Sequence, residues 1–199
     1  KFASDNVAGA CPEVLDAILK ANDGDSTPYG NDQISTELQD KFSEIFEKEV
    51  IVFPTASGTA ANALALSTMT PSFGNIYCHK LSHINTDECG APEFYTGGGK
   101  LVALQGVDGK IIADELDQSI GGKGIVHHTQ PSSVSITQVC ETGEVYQIDE
   151  IKKISDVAHK HNLNMHMDGA RFANALVSLD VTPAEMTWKA GIDVLSFGA

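Results

Sequence analysis

Met165-His166-Met167-Asp168-Gly169-Ala170-Arg171-Phe172 is the stretch whose reading decides the fold. With Leu163-Asn164 before it, it reads as a short apolar strand that ends on a carboxylate. Gly169-Ala170 turn the backbone, and Arg171 opens a helix. Open α/β sheets carry their sites outside the carboxyl ends of the strands. Asp168 and Arg171 then sit at a sheet rim, an acid and a base three residues apart. Such a pair suits a ligand that is cationic in one part and anionic in another. Taken alone, the pair is equally compatible with an ordinary strand–helix turn and a surface ion pair.

Working outward, apolar periodicity and turn chemistry divide the rest of the chain into alternating helices and short strands. A helix starts near Pro12, with Val14, Leu15, Ile18 and Leu19 as its stripe. The turn-rich loop Gly24–Asp32 carries one aromatic, Tyr29, and on its own reads as a plain helix–helix connection. A second helix runs from about Asp32 to Glu47, with Ile34, Leu38, Phe42, Ile45 and Phe46 on one face. Strands are expected over Val50–Phe53, Asn75–Cys78, Leu101–Leu104, Ile125–Thr129, Ser133–Gln138 and Asp193–Phe197. Helices are expected from Thr55 through Leu66, over Asp114–Ile120, after an Asp149 N-cap, and from Pro183 to Ala190. This alternation predicts an α/β sandwich with a mainly parallel sheet.

Three further features bear on chemistry. Ser57-Gly58-Thr59 opens a small-residue helix, whose N-terminus offers unpaired N–H groups and a partial positive charge. That is a phosphate site or simply a Ser/Thr cap, and caps are the commoner of the two. His83 and His79 stand in the segment after a strand; a lone loop histidine is more often a solvated residue than a functional one. Histidines also recur as His127-His128, His159-x-His161 and His166-x-Asp168, but His159 and His161 are not spaced to share a helix face, so no metal site is expected.

Composition narrows the function classes. The 199 residues are 42% hydrophobic and 20% charged, enough for one domain with a sizeable core. A net charge of −14 argues against nucleic acid or an anionic membrane as partner. No run of about 20 apolar residues predicts a membrane span. The start, Lys1-Phe2-Ala3-Ser4-Asp5, has no signal-peptide pattern and no initiator Met, so the true N-terminus is expected to lie further upstream. Cys11, Cys78, Cys89 and Cys140 are widely spaced without a CxxC, as expected of free thiols in a reducing cytoplasm.

The strand–Asp-Gly-Ala-Arg–helix segment resembles the low-specificity L-threonine aldolases, grouped with the β-eliminating lyases among pyridoxal-phosphate (PLP) enzymes of the aspartate-aminotransferase fold. Gly58, Thr59, Ala61 and Asn62 match that family's Gly-Thr-x-Ala-Asn phosphate cup. The Gln-Pro-x-x-Val-Ser-Ile-Thr-Gln…Glu-x-Gly-x-Val-Tyr pattern from Gln130 to Tyr146 is similar to a bacterial-type subgroup. The resemblance implies a three-layer α/β/α sandwich whose seven-stranded sheet has one antiparallel strand. It implies residues 1–25 as an N-terminal segment and 26–199 as an incomplete PLP-binding large domain, with a small domain outside this chain. The lysine that binds the cofactor covalently is expected about two residues past Ala199.

For the site, the resemblance implies PLP as cofactor, with Asp168 on the ring nitrogen, His83 stacked on the ring, and Gly58 and Thr59 on the phosphate. Arg171 would lie near the phenolic oxygen and the substrate carboxylate, with Ser4 also on that carboxylate. His127 or His128 would meet the substrate hydroxyl, and strand alternation would turn only one of them inward. Tyr29 would act in a neighbouring subunit of a homodimer or homotetramer. The implied activity is cleavage of L-threonine, L-allo-threonine or related β-hydroxy-α-amino acids to glycine and an aldehyde. A β-eliminating lyase, a phenylserine-type aldolase and a non-catalytic relative are the alternatives.

Overall fold

A computed structural model describes residues 8–198, and Ser4 lies outside the described residues. Contacts divide the chain into two compact units. The smaller holds the described residues through Glu44 together with Glu49–Val52. The larger holds Ile45–Lys48 and the residues from Phe53 onward.

In the smaller unit, helix α1 (Pro12–Ala21) begins on Pro12 as its first turn favours. Its apolar residues Val14, Leu15, Ile18 and Leu19 are exposed. Helix α2 covers Gln33–Ile45, a little shorter than the apolar stripe predicts. Asp32 holds its start, accepting from the Ser35 N–H at 2.8 Å and the Ser35 hydroxyl at 2.7 Å. The strand expected over Val50–Phe53 does not form. Gln39 takes over as hydrogen-bond partner: its amide nitrogen donates to the Val52 carbonyl at 2.7 Å and its oxygen accepts from the Val52 N–H at 2.9 Å. Ser43 Oγ accepts from the Val50 N–H. With those backbone groups satisfied by side chains, no sheet partner is needed.

The larger unit is a parallel α/β arrangement. Five strands are described: β1 (Gly74–His79), β2 (Lys100–Leu104), β3 (Gln130–Thr137), β4 (Asn164–Gly169) and β5 (Val194–Phe197). They pair in the order β2-β1-β3-β4-β5, parallel throughout. Five strands rather than the expected seven appear among the described residues, and none is antiparallel. One difference is Val50–Phe53. The other is 125–129, where the chain turns: Ile125 N–H reaches the Gly122 carbonyl and His128 N–H the Ile125 carbonyl. The Gln130 amide clasps that turn, donating to the carbonyls of Gly122, Ile125 and His128.

β1 is buried along its whole length and β4 after its first residue, so both sheet faces are covered, as a parallel sheet requires. Helix α3 (Gly58–Met69) packs on β3, β4 and β5. Next come two short helices, α4 (His83–Thr86) and α5 (Ala91–Tyr95), the latter against α3. Helix α6 (Ala113–Ser119) pairs with α7 (Ile148–Lys160), which packs on β4 through buried Ile151, Ile154 and Ala158. Gln147, not Asp149, is the N-cap of α7: Glu150 folds back to accept its N–H at 2.7 Å, and Asp149 already stands inside the helix. Helix α8 (Phe172–Leu179) follows, with Arg171 as the residue just before it. The helix expected over Pro183–Ala190 breaks at Thr187 into α9 (Pro183–Met186) and a 3-10 turn (Trp188–Ala190). No helix among the described residues is long and apolar enough to cross a membrane.

Candidate active site

β1 has β2 on one side and β3 on the other, so the connections leaving β1 and β3 diverge at their carboxyl ends. That switch point is where open α/β sheets bind ligands. The segments leaving β1, β3 and β4 bring His83 and Glu88, Glu141, and Asp168 together there.

Asp168 is almost the last residue of β4 and only 5% exposed. Its Oδ1 accepts from the Ala170 N–H at 3.0 Å, within the turn that Gly169 makes possible. Its Oδ2 accepts from Asn62 Nδ2 at 3.0 Å. Gly169 is required by space as well: a β-carbon there would lie 2.8 Å from Leu195 Cδ1 and 2.9 Å from the Ser196 carbonyl oxygen. Asn62 sits on α3 three residues, about one helical turn, after Thr59. The buried carboxylate and the open end of α3 are therefore held on one rigid piece.

That end of α3 is a donor site. Ser57 caps the helix by accepting from the Ala60 N–H at 3.2 Å. The N–H groups of Gly58 and Thr59, which precede Ala60, have no partner within the helix. A β-carbon on Gly58 would meet nothing within 4 Å, so the space beside this turn is open. A groove of about 360 Å³ beside it is lined by Ser57, Thr59, Ala63, Leu64, Ser67 and Tyr95.

His83 is the first residue of α4, and its side chain is 44% exposed. Its Nδ1 lies 2.8 Å from Glu88 Oε1, and its backbone N–H donates to Glu141 Oε1 at 3.3 Å. Burial alone would lower the imidazole pKa, but the Glu88 hydrogen bond and charge, with Asp168 and Asp87, outweigh it and hold the pKa above its ordinary value. His79, the other histidine of this segment, is buried and bonded to the Gln105 carbonyl at 2.6 Å.

Arg171 donates through Nε to the Val139 carbonyl at 2.9 Å and pairs through Nη2 with Glu141 Oε1 at 3.3 Å. Burial pushes the Glu141 pKa up, while its own backbone hydrogen bond and Arg171 oppose the rise. Below Asp168, on the same face of β4, His166 is fully buried between the hydroxyls of Ser135 and Ser196, each 2.9 Å from a ring nitrogen. Burial pushes its pKa down to about 4, so it is neutral there.

The structure thus brings Asp168, His83 and Arg171 to one end of the sheet and ties Asp168, through Asn62, to the helix that Gly58 and Thr59 open. His127 and His128 lie elsewhere: both are exposed and precede Gln130, which opens β3 opposite the first residue of β1. Eight strand residues at about 3.3 Å each put them on the order of 25 Å from Asp168, at the amino edge of the sheet. The expectation that alternation turns one of them inward fails because this segment is a turn and has no alternation. Tyr29 stands in the loop of the smaller unit, 97% exposed. His159 pairs with Asp193, and His161 with Asp117. The sequence reading does not single out Glu88, Glu141 or His166 as site residues.

A family model described as beta-eliminating lyase matches residues 1–199. The low specificity L-threonine aldolase of Pseudomonas sp. (strain NCIMB 10558) is 46% identical over 198 residues, covering 100% of this chain and 57% of that protein. The protein of the same name from Pseudomonas aeruginosa is 43% identical, again over 100% and 57%. Among solved structures, Leishmania major threonine aldolase superposes with a TM-score of 0.87 at 29% identity, covering 93% of this chain and 54% of that one. The chain spans little more than half the length of these relatives.

Proposed function

The chain belongs to the beta-eliminating lyase family, and from that premise we propose that the protein it is part of is a PLP-dependent aldolase. Its substrates are L-threonine, L-allo-threonine and related β-hydroxy-α-amino acids, which it cleaves to glycine and an aldehyde. The observation that carries this reading is the joining of three groups on one frame: the donor end of α3, the buried Asp168 carboxylate, and the His83 imidazole.

The residues present fit the cofactor. PLP is anionic at its phosphate and takes a proton at its ring nitrogen. The N–H groups of Gly58 and Thr59, with the Thr59 hydroxyl, suit the phosphate. Asp168 suits the protonated nitrogen, since two of its acceptor positions are already fixed by Ala170 and Asn62 and others remain. When bound, PLP supplies an electron sink for the pair released as the Cα–Cβ bond breaks. Asp168 holds the proton on the ring nitrogen, which keeps that sink electron-poor. Opposite charges about 4 Å apart attract by ~4 kcal/mol at an effective dielectric of ~20. His83 would offer its imidazole to the ring, and Arg171 its positive charge to the substrate carboxylate.

Further parts of the reading rest on the family resemblance. Ser4 completes the carboxylate site, Tyr29 serves a neighbouring subunit of a homodimer or homotetramer, and the protein is cytoplasmic. The four cysteines, none of them in a disulfide, agree with a reducing compartment.

The test is to load the full-length protein with PLP, supply L-threonine, and measure glycine and acetaldehyde together. Equal amounts of the two are expected. Release of ammonia and a keto acid, with no glycine, would identify a β-eliminating lyase and overturn the aldolase reading.

A further inference from the structure

Glu88 and Asn62 are both sealed from solvent, and their arrangement fixes more than their own places. Glu88 Oε1 accepts from Asn62 Nδ2 at 2.7 Å and lies 2.8 Å from His83 Nδ1. The same Asn62 nitrogen donates to Asp168 Oδ2. Two carboxylates decide which way round the amide sits. With its oxygen turned to them, three acceptors would meet and no hydrogen would lie between; with its nitrogen turned to them, both N–H bonds are used. Asn62 Oδ1 is accordingly the atom left buried with no partner, as is Glu88 Oε2. The same logic holds at His83. A ring nitrogen facing a carboxylate carries the hydrogen, so Nδ1 is the N–H and Nε2 faces away from Glu88.

We propose that Glu88 is a positioning residue for the reaction: through His83 it fixes the imidazole's tautomer and plane, and through Asn62 it ties that imidazole to Asp168. This rests on the functional reading above, in which His83 and Asp168 grip one flat ring. A ring held on its face by one group and at its nitrogen by another is held accurately only if the two cannot move apart. Here they are joined by three hydrogen bonds through two buried side chains, with no solvent-exposed link.

The backbone places Glu88 for this task. Cys89 and Gly90 both take left-handed conformations, with φ of 52° and 72°. They fold the chain back after α4, and the Ala91 N–H closes the turn on the Glu88 carbonyl at 2.9 Å. The carboxylate is thereby directed inward while Cys89 is left exposed. The other charged groups near His83 are Asp87 from its own segment, Asp168 from β4, and Glu141 with its partner Arg171 from beyond β3 and β4. Glu88 alone among them bonds the imidazole ring.

The experiment reads the imidazole directly and needs no cofactor. Full-length apo-protein is treated with diethyl pyrocarbonate across a pH series, and modification at His83 is followed by mass spectrometry. Its rate tracks the neutral imidazole, so the midpoint reports the titration of His83. In Glu88→Gln the midpoint should fall by about one pH unit, making His83 react up to ~tenfold faster on the acid side, with His161 unchanged as internal control. A folded Glu88→Gln protein with an unmoved His83 midpoint overturns the proposal. If Glu88→Gln does not fold, Glu88→Asp is measured: its carboxylate is one methylene shorter, and the midpoint should fall by less but in the same direction, an unmoved value again overturning the proposal. Failure of the wild-type protein to bind PLP, read separately from the visible absorbance of the cofactor, would count against the functional reading.

Discussion

Asn62 Nδ2 lies 3.0 Å from Asp168 Oδ2, although 106 residues separate them in the chain. One hydrogen bond thus joins the first turns of α3 to the carboxyl end of β4. Both ends of a planar, phosphorylated cofactor would be set by this junction, because Gly58 and Thr59 open the helix that carries Asn62. On the proposed function, the positions of the phosphate and of the ring nitrogen would then not be independent.

Asp168→Asn should leave the fold intact and lower turnover of the full-length enzyme by at least a hundredfold, ~2.7 kcal/mol in barrier. The amide still fills the space and keeps one of the two acceptor bonds, from Ala170 or from Asn62, but it holds no proton on a ring nitrogen. Steady-state glycine formation, with circular dichroism as control for folding, decides the matter. Near-normal turnover in a folded variant removes Asp168 from the role given to it.

Thr59→Ala should weaken PLP binding about fivefold, the ~1 kcal/mol of one neutral hydroxyl hydrogen bond. Inorganic phosphate should compete with PLP for the same apo-protein, because the Gly58 and Thr59 N–H groups are available to any phosphate. Equilibrium titration of apo-protein with PLP, with and without phosphate, measures both. An unchanged dissociation constant would mean that the Thr59 hydroxyl does not hold the phosphate.

Gly169→Ala should destabilise the protein by about 1–3 kcal/mol, the usual range for an overpacked interior site. The added carbon would press on Leu195 and on the Ser196 carbonyl, both on the neighbouring strand. Because Asp168 immediately precedes it, cofactor affinity should fall as well. Urea unfolding of the apo-protein gives the first quantity and PLP titration the second. Wild-type stability would show that β4 and β5 yield at no cost.

The strand that carries Asp168 near its end and the helix capped by Ser57 are legible because each is written locally: an apolar run closed by a carboxylate and glycine, and a capping hydroxyl before small residues. Val50–Phe53 misled because its apolar character is right for a strand, while its backbone partners turned out to be the Gln39 and Ser43 side chains. Residues 125–129 misled for the same kind of reason, with Gln130 supplying the partners. No periodicity registers one amide side chain standing in for a strand. Glu88 and Glu141 escaped notice because their roles are long-range: Glu88 meets Asn62 across 26 residues, and Glu141 meets His83 across 58. The only local trace was the Cys89-Gly90 pair, whose left-handed turn directs Glu88 inward.

His166 supplies the last prediction, a loss of stability in mild acid. The ring is fully buried between Ser135 and Ser196, which join it to β3 and β5. Burial pushes its pKa from 6.5 down to about 4, with the nearby Asp168 charge opposing the drop. In the unfolded chain the imidazole titrates near its ordinary value. Between those two values the unfolded state binds the proton and the folded state does not, so stability falls as pH falls. The contribution is fully present above about pH 6.5 and is spent by about pH 4, reaching at most ~3 kcal/mol over that window. His166→Asn keeps one donor and one acceptor for the two serines and has nothing to titrate. It should be less stable than wild type at pH 7, because the smaller side chain leaves a cavity. Its stability should nevertheless decline less between pH 7 and about pH 4.5, where other titrating groups act equally on both proteins. Urea unfolding of both apo-proteins at the two pH values measures the difference. Equal declines would show that the buried imidazole is not the group whose protonation weakens the fold.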